Sequence, residues 1–529
     1  MARAPHRLLI CGALVALLGS CVGARACAHA GPEERDERAA EQAAQRSRRV
    51  IAAALDHVQE RYVRGVDMGD LVSTGLAGVA RTDATIEFRR NGAELAVLRR
   101  GETEARLPVD PAAGGKGWAA AAWRAIDEAR MRSSAIRELD ADQTSKAFLE
   151  AMAKGLDPYS RYTTPETARE ERAQREGFGG VGIVIDAEGG VVRVVTVMDE
   201  TPASRAGLRS DDRILSIDGK STAGLTAREA VQRLRGPVGA PVDVEIGRPS
   251  GGTTLRVSLV RSHIVPQTVS YRRAGDAAHI RVSGFNPRTT EALADAVRRA
   301  EREIGPRMSG VILDLRNNFG GYLDQSIYVS DLFLPEGTIV STRGRHRSVS
   351  QESWARRGDI GERFPLVVLI NGNSASASEI VAAALQDNGR AVVVGTTSFG
   401  KGSVQSILPL PNDGELVLTS ARFHAPSGYA LAELGVLPHL CTSGGRDAPT
   451  VILENLRSGR YADHAAAARW RNVSPEDGEG RRRLRAAACP SDTAERDSDL
   501  ELARSLLADR SLHALALGST PAVAIAPGR

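Results

Sequence analysis

Three apolar runs without polar alternation, at 310–315, 365–370 and 391–394, read as buried strands, because strands covered on both faces lose the in-out alternation of a half-exposed sheet. Around them the period changes to that of helices. Leu293, Val297, Ala300 and Ile304 recur at helical spacing after Thr289 or Thr290, and 379–385 is rich in helix formers and stops at Asn388-Gly389. Alternating strands and helices predict an α/β core whose special residues gather at strand ends. Residues 177–262 differ: short strands at 181–185, 191–198, 213–217, 242–246 and 254–260 surround one helix. That helix opens on a capping box, Thr226 to Glu229, and stops at Gly236-Pro237, so the stretch predicts a compact β-rich module.

Upstream, Ile51, Leu55, Val58, Tyr62 and Leu71 recur at helical intervals, and helical pattern returns over 118–156. Between them 85–98 reads as a hairpin around Asn91-Gly92. Residues 31–49 are charged and alanine-rich, a tether that becomes helical near Ser47. Downstream of 441 the pattern thins to 499–507, and Ser511 onward reads as a frayed tail. The chain is therefore expected to be α/β and multidomain. The expected divisions are 31–176, mainly helical with an inserted hairpin; 177–262, the β-rich module; 263–440, the α/β core; and 441–529, a partly disordered extension.

Composition narrows the function classes. The 529 residues fit about three domains. Lys+Arg exceed Asp+Glu by four, and without the first thirty residues, which hold Arg3, Arg7 and Arg25 and no acid, the excess is one. Such a balance gives no global attraction to nucleic acid. The basic clusters at 343–347 and 481–485 lack interleaved aromatics and read as solvated faces. Arg3 and Arg7 precede an apolar run at 8–18, shorter than the ~20 residues of a spanning helix and suited to a secretory leader. The chain is expected to be exported to the cell envelope. Cleavage after Ala30, at Ala28-His29-Ala30, competes with a lipobox-like Leu18-Gly19-Ser20-Cys21; the second is preferred for its place directly after the apolar run. It would make 1–20 the leader and Cys21 a lipidated membrane tether. Cys11 leaves with the leader, and in an oxidising compartment Cys441 and Cys489 are expected to pair. No His or Cys spacing suits zinc, so neither metal nor cofactor is expected.

Candidate chemistry centres on 365–405. A strand, a turn of small residues from Asn371 to Ser378, and a helix would expose a small side chain beside free backbone N–H groups, an arrangement suited to a nucleophile next to an oxyanion. Ser376-Ala-Ser-Glu379 equally fits a capping box, which would give Ser376 a purely structural role. After the next strand a single lysine, Lys401, stands between two glycines.

Three motifs in this order, Asp314-Leu-Arg-Asn-Asn-Phe-Gly-Gly321, Asn371-Gly-Asn-Ser-Ala-Ser-Ala-Ser-Glu-Ile380 and Ser398-Phe-Gly-Lys-Gly-Ser-Val-Gln405, resemble those of the C-terminal processing peptidases, or tail-specific proteases. The resemblance implies that Ser376 is the nucleophile, Lys401 its base and Gln405 the residue that orients the lysine. Backbone N–H groups of Ala377 and of Gly320 or Gly321 would hold the oxyanion. Residues 202–208 and 213–219 resemble a PDZ domain, in which Gly179, Gly180, Val181 and Gly182 would bind a substrate's C-terminal carboxylate while the peptide adds as a strand. Leu156-Asp-Pro-Tyr-Ser160 resembles a family signature that closes the N-terminal region. The chain departs from the family at Phe319, where proline is usual, at His424, where tyrosine is usual, and at His439, in place of aspartate. The expected partners are protein or peptide substrates with free C-termini, with room for an adaptor protein. A PDZ-bearing scaffold or chaperone with a silent site is the main rival. A lipase-like enzyme is weaker, lacking a G-x-S-x-G elbow and a His-Asp pair.

Overall fold

The computed structural model describes residues 32–249, 252–356, 360, 364–445, 448–461 and 464–518. The leader with Cys21 lies outside the described residues. At the centre is a six-stranded sheet, in which Val269–Ala274 pairs antiparallel with Ala277–Val282. The strands Gly310–Asp314, Leu366–Ile370, Val392–Gly395 and Leu440–Cys441 follow in parallel. All three apolar runs are thus adjacent central strands, buried at every position.

Such strands need cover on both faces. On one face Ile280, Leu313, Val368 and Val393 pack with the helices Thr289–Ile304, Leu323–Asp331 and Ala377–Asp387. On the other, Ile312, Val367, Leu369 and Val394 pack with Ile452, Leu456, Leu502, Leu506, Leu512 and Ala516. The second set belongs to the C-terminal extension, which is helical over 510–517 where a frayed tail was expected from Ser511; residues 519–529 lie outside the described residues. Arg510–Leu517 is a helix capped by Asp509, whose carboxylate accepts from the Ser511 and Leu512 N–H groups, and Leu512 and Ala516 lie in the core. The helices Pro449–Arg457, Asp497–Ala508 and Arg510–Leu517 are the missing second layer of the sheet.

The basic cluster at 481–485 is a solvated face only at Arg482 and Arg483; Arg481 and Arg485 turn inward. Arg481 is 1% exposed and donates to the carbonyls of Ala430, Val473 and Ser474. Arg485 is half-buried and reaches the carbonyls of Ser398 and Phe399. Each guanidinium fork satisfies several loop carbonyls at once.

A second, antiparallel sheet carries Gln351–Trp354, Thr338–Gly344, Glu415–His424 and Ser403–Pro409 in that order. Arg161–Thr163, expected within the N-terminal region, pairs with Glu415–His424 instead. The N-terminal helices begin at Pro32, ahead of the turn near Ser47 where helix was expected, and the hairpin at Asn91-Gly92 has a third strand, Glu102–Pro108. The β-rich module is a sheet in the order Thr253–Val260, Pro241–Arg248, Arg213–Ile217, Val191–Val197, Ile183–Glu188, flanked by the helix Ala227–Leu234 with its capping box formed.

Candidate active site

The strands Gly310–Asp314, Leu366–Ile370 and Val392–Gly395 end side by side, and the loop after each carries one of the three motifs. Their carboxyl ends are where the backbone leaves the sheet and side chains can converge. Ser376, Ala377, Gly321, Lys401 and Gln405 line one cleft of about 570 Å³, together with Phe285, Phe319, Arg161 and Arg175.

The three serines of the turn separate by their hydrogen bonds. Ser374 donates to the Leu315 carbonyl at 2.8 Å, and Ser378 donates to that of Asn318 at 2.7 Å. Ser376 makes no side-chain cap bond, because the Glu379 N–H that a capping hydroxyl would accept from goes to the Ser376 carbonyl at 2.9 Å. Within the expected capping pair the Glu379 carboxylate accepts from the Ser376 N–H at 2.8 Å, and among the described residues the Ser376 hydroxyl donates to no carbonyl. Ser376 sits at φ 57, a left-handed conformation that costs a non-glycine residue roughly 1–3 kcal/mol.

Glu379 holds that conformation. It is fully buried, and one oxygen accepts from Ser398 Oγ and the Gly400 N–H while the other accepts from the Ser376 and Lys401 N–H groups, at 2.6 to 2.9 Å. One carboxylate thus ties the serine turn to the lysine loop. Burial pushes its carboxyl above the usual range, and the four hydrogen bonds oppose that shift.

Burial lowers the pKa of Lys401, and the Arg161 guanidinium lowers it further, while Glu379 acts the other way. Its Nζ lies 5.8 Å from the Tyr159 ring centroid. Tyr159 belongs to the turn at 157–160, where Asp157 accepts from the N–H groups of Tyr159 and Ser160 and from Ser160 Oγ. Asp157 also accepts from Thr419 Oγ1, which in turn accepts from Gln405 Nε2 at 3.1 Å. Gln405 is therefore in the cleft, but its amide is bonded to Thr419 and Ser403 and not to Lys401.

The two glycines are not equivalent. The Gly320 N–H donates to its neighbour Asn318 Oδ1 at 2.9 Å and is occupied. Among the described residues the N–H groups of Gly321 and Ala377 have no acceptor. A Cβ on Gly320 would stand 2.8 Å from the Ala375 carbonyl oxygen, and one on Gly321 2.1 Å from that of Phe285, so both positions exclude any side chain. Sequence reasoning gave Glu379 only a capping role and missed Tyr159 and Arg161. The signature at 156–160 is their one signal in the sequence: it sets Tyr159 beside Lys401 and leads into Arg161 at the cleft.

Two departures from the family pattern find their places. Phe319 is 66% exposed at the cleft. His439 is buried, its Nδ1 accepts from the Val393 N–H at 2.9 Å, and burial holds its pKa at about 3, so it serves as a neutral acceptor.

In the β-rich module, Phe178–Gly180 pairs with Ser262–Ile264, and Gly182 turns at φ 83 with Thr201 where a Cβ would be. The Val181 and Gly182 N–H groups have no acceptor among the described residues, and Ile183–Glu188 is an edge strand next to the helix Ala227–Leu234. An open strand edge beside unpaired N–H groups can take an added peptide strand.

Comparison with known proteins defines the class first. Residues 276–441 match Peptidase family S41, and 193–248 match the PDZ domain, so the chain is a serine-type peptidase with a PDZ domain. The carboxy-terminal-processing protease of Bartonella bacilliformis is 42% identical over 313 residues, 59% of this chain and 72% of that protein. The carboxyl-terminal-processing protease of Synechocystis is 36% identical over 305 residues, 56% and 70% of the respective chains. Among solved structures, the photosystem II D1 C-terminal processing protease is similar at 25% identity and a TM-score of 0.36, over 71% of this chain and 93% of that one. The chain belongs to the carboxy-terminal-processing protease family.

Proposed function

We propose that the protein is an exported endopeptidase that hydrolyses peptide bonds with a Ser376–Lys401 dyad and selects substrates by their C-termini. The observation that carries the reading is the contrast among the turn serines: Ser374 and Ser378 have spent their hydroxyls on backbone carbonyls, and Ser376 has not. Lys401, neutral through burial and the nearby Arg161, takes the Ser376 proton as Oγ attacks the scissile carbonyl. The oxyanion lies against the free N–H groups of Ala377 and Gly321. Lys401 then gives the proton to the leaving amine, and water, activated by the same amine, cleaves the acyl-enzyme. Gln405 steadies this wall of the cleft through Thr419.

The PDZ domain, within 177–262, captures the substrate tail at 179–182, and 31–176, 263–440 and 441–529 are the other units. Export rests on the leader pattern at 1–30 and places the enzyme in the periplasm or envelope. Lipidation at Cys21 would tether it there, and an adaptor protein could deliver substrates. Among the described residues no helix is long and apolar enough to cross a membrane.

Purified protein incubated with a denatured test substrate provides the test. Ser376→Ala and Lys401→Ala should each reduce cleavage by about 10⁴ or more with the fold intact, and the double variant should lose no more, because the two act as one unit. Activity should fall as pH drops and Lys401 protonates. An active Ser376→Ala beside an inactive Ser374→Ala would refute the assignment.

A further inference from the structure

The geometry points to Arg485, in the C-terminal extension, as a positioning residue of this site: its guanidinium fixes the loop that presents Lys401 and supplies a counter-charge to the buried Glu379 carboxylate, so that Lys401 can stay neutral beside it. The inference rests on the reading of Lys401 as the base.

The first part stands on hydrogen bonds. Arg485 lies in the helix Gly478–Ala488 and donates through Nη2 to the Ser398 carbonyl at 2.7 Å and through Nη1 to that of Phe399 at 2.8 Å, with a longer bond from Nη1 to the Glu433 backbone carbonyl at 3.4 Å. These carbonyls directly precede Gly400 and Lys401. A Cβ on Gly400, at φ 90, would stand 2.8 Å from Arg485 Nη1, so the glycine is needed for the guanidinium to come this close.

The helix is itself anchored. Cys489 at its end is joined to Cys441, and the segment that follows bonds the loops bearing the catalytic motifs. The Cys489 carbonyl accepts from Thr397 Oγ1, that of Asp492 from Thr396 Oγ1 and the Gly372 N–H, and that of Thr493 from Asn371 Nδ2. Glu495 accepts from Asn317 Nδ2. The extension therefore touches the loops before Gly321, Ser376 and Lys401 alike.

The second part is electrostatic. All four hydrogen-bond donors to Glu379 are neutral, although the carboxylate is fully buried. Among the described residues, Lys401 and Arg485 are cations whose charge the Glu379 carboxylate favours. An ammonium left alone with a buried carboxylate would be held protonated and useless as a base. Arg485 cannot lose its proton, so it can remain the cation of the group while Lys401 is the neutral amine. Arg161 also faces Lys401 and disfavours its charge; Tyr159 faces both cations and stays protonated through burial; and the Glu433 carboxylate acts on Tyr159 and Arg481.

The test is the pH dependence of kcat/KM for Arg485→Gln and Arg485→Lys in the full-length enzyme, on one unfolded substrate, with circular dichroism and a melting curve for each variant. Arg485→Gln should move the acid limb up by about one pH unit and lower kcat at neutral pH by roughly 10-fold or more, with KM little changed. Arg485→Lys keeps the charge and loses the fork, so its acid limb should return close to that of the parent while kcat is only partly restored. Should Arg485→Gln fail to fold, Arg485→Met takes its place, with the same expectation. An unmoved acid limb in a folded neutral variant overturns the inference, as does a limb displaced equally by lysine. An active Lys401→Ala would instead remove the base reading beneath it; an inactive Lys401→Ala with an unmoved limb removes the inference alone.

Discussion

Among the described residues, unpaired backbone N–H groups stand at both places proposed to receive a peptide, at Ala377 and Gly321 in the cleft and at Val181 and Gly182 in the β-rich module. The surroundings of the two differ. The first pair stands on central strands buried at every position and clamped by Glu379, with a serine forced to φ 57. The second stands at the edge of a sheet whose edge strand alternates between half-buried and exposed residues and whose next strand alternates buried with exposed, leaving Val184, Val191 and Val195 open to solvent. Charge that develops only in a transition state is best met by donors that cannot relax, whereas binding a tail that is charged from the outset tolerates a looser cradle. On the proposed mechanism, rigidity is concentrated where charge is created.

The sharpest way to break this comparison is to disturb one N–H in each place. In the cleft, Gly321→Ala puts a methyl group 2.1 Å from the Phe285 carbonyl oxygen, so the loop must shift and carry its N–H away. Losing one such donor typically costs about 10²–10³ in kcat, and the loop shift adds to it. A single-turnover assay should show the loss in the chemical step, with near-parental substrate affinity. Parental kcat would remove Gly321 from the oxyanion site.

Glu379→Gln comes next. The substitution keeps shape and removes one accepting oxygen, so of four donors two would face an amide N–H₂. Leaving buried donors unsatisfied costs about 1–3 kcal/mol each. The expected result is a lower melting temperature together with about a 10²-fold loss of kcat/KM. A stability loss without an activity loss would show that the carboxylate supports the fold but does not set the geometry of Ser376.

The unequal rigidity also explains what could be read from the chain. Continuous apolar runs, the serine-rich turn and the glycine-flanked lysine are local signals, so the central strands and cleft motifs were legible. The contributions of Tyr159, Arg161 and Arg485 were not, because each reaches the site from an element distant in sequence. The helices of the C-terminal extension were not legible for a related reason. Its helices are short and their apolar faces sparse, and only the bare face of the parallel sheet, which no sequence window displays, requires them to fold. The position of the lone free hydroxyl at Ser376 likewise follows from where the Leu315 and Asn318 carbonyls lie.

The smallest expected effect concerns the looser of the two places. If the PDZ domain captures a free C-terminus, the carboxylate accepts from the Val181 and Gly182 N–H groups while the tail pairs with Ile183–Glu188 beside the helix Ala227–Leu234. Charge-assisted bonds of this kind contribute about 1.5–3 kcal/mol, and an amide terminus forfeits most of that without altering the scissile bond. Amidating an unfolded test substrate should therefore slow cleavage at sub-saturating concentration by about 10-fold and leave kcat at saturation almost unchanged. Gly182→Ala, whose methyl group would meet Thr201 Cβ at 2.2 Å, should slow the free-acid substrate and shrink the gap between acid and amide. Equal rates for acid and amide in the parent enzyme would end tail recognition at this edge while leaving the chemistry at Ser376 untouched. An effect of amidation confined to kcat would place the sensing in the rigid site instead.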